Sequence, residues 1–188
     1  EALDGLRRTH GDPLVLAGAL ERAAPSLDGP SRARALLELD RLRAEALEEP
    51  EGALEALEVA LAVEGADDEH DAAGHELDAL IEDSREDRPQ FAARAARAVE
   101  PLWRRRGAFD RLIQAKEARS EVAEPGERAA IRAEIADVYE HELRRPEMAF
   151  LTLGRAFLEH PGDAALADRL DRLAEVAHAL EEWAELNV

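Results

Sequence analysis

The sequence predicts an all-α protein, an α-solenoid of antiparallel helical hairpins with about ten helices. Three observations carry that expectation. Apolar residues make up 46% of the chain and aromatics only 4%, so the apolar mass is Ala and Leu, strong helix formers. Apolar residues recur at spacings of three and four, and Pro, Gly or Asp punctuates them every 12 to 20 residues or so. Third, the chain resembles itself. Shifted by 96 positions, residues 1–69 align with 97–165 without a gap and match at 17 of 69 pairs. That is more than twice what so biased a composition gives by chance.

Ile131, Ile135, Val138, Tyr139 and Leu143 form one stripe of a helix. Pro146 stops that helix and opens the next, because proline fits a first helical turn and not an interior. The next stripe is Ala149, Phe150, Leu153, Ala156 and Phe157, closed by Pro161-Gly162-Asp163, with Asp163 placed to cap the following helix. The first copy repeats the scheme with Leu39, Leu42 and Leu47, then Pro50, then Ala53, Leu54, Leu57, Ala60 and Leu61. Helices are expected over residues 1–9, 13–24, 31–48, 50–64, 69–84, 89–106, 108–121, 126–144, 146–159 and 164–187, the last broken near Ala179. No alternating strand pattern is present. Connections of two to five residues force neighbouring helices antiparallel, giving one helical-repeat domain over 1–188.

At these residues the chain resembles the tetratricopeptide repeat family. Ala149, Ala156 and Pro161 fit the family's second helix, with Leu153 between the alanines. Ala53, Leu57 and Ala60 fit it in the first copy, where Gly65 replaces the proline. Tyr139 resembles the family tyrosine of the first helix. Ala136 stands where the family has glycine, and Tyr139 lies ten residues before Ala149 instead of nine. HEAT-like repeats are the other reading of the intervening hairpins. The resemblance implies a surface for binding a protein or peptide.

Charge and composition remove several classes of function. With 43 acidic and 24 basic residues the formal charge is −19, which disfavours nucleic acid and anionic membranes as partners. There is no cysteine, hence no disulfide, thiolate nucleophile or Cys-ligated metal. No apolar run reaches the roughly 18 residues of a membrane span. One lysine against an excess of arginine and alanine suggests a GC-rich bacterial source and a cytoplasmic setting. The chain begins at Glu1 rather than Met, and it reads as a fragment of a longer repeat protein.

No motif suggests catalysis or a cofactor. The six histidines show no metal-binding spacing, and no nucleophile elbow or phosphate loop is present. Asp67, Asp71 and His75 lie four apart, but one helix face supplies too few donors for a metal, so the acids read as complements to a helix dipole. Arg104, Arg105 and Arg106 close a helix before Gly107, where cations favour the carbonyl end. Trp103 beside them aligns with Arg7, so the repeat does not require an aromatic there. These four residues are the candidate partner contacts. The expected function is a non-enzymatic scaffold that binds a protein or peptide and takes no metal or cofactor. A self-associating spacer, or a regulatory arm of a signalling protein, is the alternative.

Overall fold

The computed structural model describes residues 12–186, and all regular structure in them is helical. The helix expected over residues 1–9 lies outside the described residues. Ten α-helices follow in order: α1 Pro13–Ala23, α2 Gly29–Arg41, α3 Pro50–Leu61, α4 Asp67–Ser84, α5 Pro89–Arg106, α6 Phe109–Val122, α7 Pro125–Asp137, α8 Pro146–Glu159, α9 Ala164–Val176 and α10 Leu180–Leu186. The break expected near Ala179 falls between α9 and α10, where His178 takes a φ of 55°. The chain divides into two compact units, Glu1–Glu82 and Asp83–Val188, with the boundary inside α4.

Helix starts follow local chemistry. Proline opens α1, α3, α5, α7 and α8. Asp12, Asp28 and Asp163 cap α1, α2 and α9, each accepting a hydrogen bond from a backbone N–H of the first turn. α5 ends at Gly107, whose φ of 66° lets the Ala108 N–H reach the Trp103 carbonyl at 2.9 Å.

The expected runs 31–48 and 126–144 differ from the structure in their last turn. There the helix widens into a π turn, Leu42–Ala46 after α2 and Val138–Glu142 after α7. These segments are 96 residues apart, and their bonding is the same. Leu47 N–H reaches the Leu42 carbonyl at 3.1 Å, and Leu143 N–H reaches Val138 at 3.0 Å. Glu49 N–H then reaches the Arg43 carbonyl at 2.7 Å, and Arg145 N–H reaches Tyr139 at 2.8 Å. Glu48 and Arg144 each turn the chain with a φ of 55°. A π turn holds one residue more than an α turn. It therefore absorbs the residue that makes the Tyr139–Ala149 spacing ten. The two segments therefore share their backbone geometry.

In the first unit α1 and α3 pack on α2, joining Leu16, Leu20, Leu36, Leu39, Leu54 and Leu57. In the second unit α5 packs on α6, α6 on α7, α7 on α8, and α8 on α9. Ala149, Leu153 and Ala156 are buried in α8, as Ala53, Leu57 and Ala60 are in α3. Phe150 and Phe157 fill the larger volume in the second copy. Phe157 meets Trp183 of α10 edge-on, with ring centroids 5.2 Å apart.

Candidate functional site

α8 places its alanines and phenylalanines inward and leaves a second apolar row outward. Met148, Leu151 and Leu158 are 40%, 55% and 61% exposed, with the exposed Arg155 between the two leucines. Their spacings of three and seven put them on one face of the helix. The equivalent positions in the first copy are Gly52 and Glu55 of α3 and Ala62 just past its end. Both helices have the same buried face, so packing does not require apolar residues at these outer positions. Sequence periodicity overlooked this row, because it looks for the buried stripe. Comparing the two copies position by position would have found it.

A second feature is an open cleft of about 520 Å³ in the second unit. Arg104 from the end of α5, Phe109 and Leu112 from the start of α6, and Glu134, Asp137, Val138, His141 and Glu142 from α7 and its π turn line it. Its lining combines three apolar side chains with charged ones of both signs. Glu134 is fixed there by Lys116, the single lysine, which is 1% exposed and also holds Glu100 at 3.0 Å. Burial raises the Glu134 pKa, but the Lys116 hydrogen bond and charge, with Arg119 and Arg104, outweigh it and hold the carboxyl below its ordinary range. An ionised Glu134 is a hydrogen-bond acceptor and not an acid at neutral pH. Lys116 replaces Leu20 of the first copy, another difference visible only by aligning the copies.

Beside the cleft, Asp137, Glu140 and His141 bring three donor atoms within 4.8 Å of one another. Arg169 of α9 already engages Asp137 at 2.7 Å and Glu140 at 2.9 Å, which offsets the charge a cation would need. Among the described residues this is the one grouping of at least three such donors, and Asp67, Asp71 and His75 are not part of it. Asp67 and His75 are exposed and Asp71 is half-buried along α4, whose first turn carries Asp67, Asp68 and Glu69 at the positive end of the helix.

The arginine run is split in its environment. Arg104, Arg105 and Arg106 are exposed in the last turn of α5, and Arg104 reaches the cleft. Trp103 is 3% exposed, with the Arg111 guanidinium 4.8 Å from the ring centroid. The indole expected on the surface is therefore covered by the chain itself. Helical phase explains this: Trp103 sits beside Leu102 and four residues after Val99, on the inward face. No helix among the described residues is long and apolar enough to cross a membrane. No protein-family model, curated protein or solved structure matches the chain.

Proposed function

We propose that the chain is a non-enzymatic scaffold that holds a protein or peptide partner on a helical-repeat surface. Its helices form antiparallel hairpins of the tetratricopeptide-like kind. The observation that carries this reading is the outward row Met148, Leu151 and Leu158, present in one copy of the duplication and replaced by Gly52, Glu55 and Ala62 in the other. Isolated exposed apolar residues are ordinary, but a row aligned along one helix face is the form in which helical surfaces present anchors to a partner. The cleft lined by Arg104, Phe109 and His141 offers a further contact area in the same unit.

The test imports first-copy residues into the second copy as Leu151→Glu with Leu158→Ala. Both positions are exposed and their replacements stand at the equivalent positions of the first copy, so stability should change by no more than about 0.5 kcal/mol. Immobilised wild-type chain should retain a discrete protein from an extract of the producing cell, free wild-type chain should compete it away, and the double variant should lose it. Retention of nothing beyond a control column contradicts the scaffold reading. Equal retention by the variant removes α8 as the contact.

A further inference from the structure

We infer that the link between α4 and α2 in the first unit, made by two arginine–glutamate pairs, is proton-dependent, with the Asp40 carboxyl protonated in the linked state and its ionisation loosening the contact. Asp40 is 4% exposed in α2, two residues before the π turn that continues the helix, so its carboxyl is held away from water. Two arginine–glutamate pairs tie the helices together beside it. Arg34 donates to Glu69 at 2.6 Å and Arg41 donates to Glu76 at 3.3 Å, both partners advancing by seven residues. Asp40 forms no ion pair among the described residues, because the neighbouring Arg41 turns to Glu76.

The charged groups that act on Asp40 are Glu76 from α4, and Arg41 and Glu45 from its own helix and π turn. α1 and α3 bring apolar side chains to α2, among them Leu16, Leu20, Ala53, Leu54 and Leu57. α4 carries one buried titratable group besides these carboxylates: His70, whose Nε2 lies 2.8 Å from the Val63 carbonyl oxygen. Ionising Asp40 would place a buried carboxylate near the partly exposed Glu76, with Arg41 already engaged by Glu76. Burial raises its pKa most, Glu76 next, and Glu45 also raises it while Arg41 lowers it, from 3.8 to about 7.

The direction of the linkage follows. Between about pH 4 and 7 the folded chain holds a proton that the unfolded chain has released. Stability from this group is therefore fully present below that window, falls as pH rises through it, and levels off above about 7. The duplication supplies a control: Ala136 occupies the equivalent position in the second unit and is fully buried. The fold thus accepts a small apolar side chain at this site, so the acid is a feature of the first unit alone.

The experiment compares the whole chain with Asp40→Asn and Asp40→Ala by thermal unfolding and by hydrogen exchange, corrected for intrinsic rates, at about pH 5 and about pH 8. Both variants should melt several degrees above wild type at the higher pH and lose that advantage at the lower. Amides of α2 and α4 should lose protection with rising pH in wild type and keep it in the variants. A carbon-13 titration of the Asp40 carboxyl in the wild-type chain needs no variant, and its midpoint should lie near 7. A midpoint near 4, or a variant effect independent of pH, overturns the inference. Loss of α4 protection that persists in both variants overturns it too.

Discussion

Glu48 and Arg144 each hold a φ of 55° at equivalent places in the duplication. Side chains with a Cβ pay about 1 kcal/mol in this left-handed region, and glycine pays none of it. At the end of α5 the same turn falls to Gly107. Replacing Glu48 or Arg144 with glycine should therefore stabilise the chain, offset in part by the greater freedom of glycine in the unfolded state. We expect a gain of about 0.5 kcal/mol for each, adding in the double variant because each turn closes a helix of its own unit. Denaturant melts of the three variants check this, and a loss at both positions would show that the side chains hold the turn rather than strain it. Neither residue was legible as left-handed, since neither is Gly or Asn. Burial of Asp40 and Lys116 was not legible either: only the structure shows the Glu100 and Glu134 carboxylates around Lys116, and the lack of an ion pair at Asp40 among the described residues. Trp103 shows the converse, an inward residue that alignment with Arg7 disguised as an outward one.

Most helix starts follow from the sequence because proline and aspartate act locally. Pro50 and Pro146 open α3 and α8 where expected, and Asp163 caps α9 through the N–H groups of Ala165 and Leu166 at 2.9 and 3.2 Å. Substituting Asp163 by alanine should cost about 1 kcal/mol, with the loss of protection concentrated in the first turn of α9. An unchanged melting curve would mean that packing of Leu166 and Leu170 alone fixes that helix start. Helix ends were harder to place. The π turns after α2 and α7 leave only an indirect trace in the sequence, the ten-residue spacing between Tyr139 and Ala149. That trace indicates one residue too many without indicating where the backbone stores it. The outward row on α8 escaped for another reason: exposed apolar residues have no partner within the chain, so no internal packing rule predicts them.

Segments 96 residues apart share their helix ends and differ in their outward side chains. A formal charge of −19 works against self-association, which makes an outward apolar row on α8 more informative than on a neutral surface. The structure leaves the same helix of the first unit with Glu55 where α8 has Leu151. The two positions therefore form a matched pair within one polypeptide. Installing a photo-crosslinking amino acid at Leu151 in one variant and at Glu55 in another, inside the producing cell, compares them directly. The scaffold account predicts a discrete adduct with another protein from position 151 and none from position 55. Adducts of equal yield from both positions, or from neither, would contradict it.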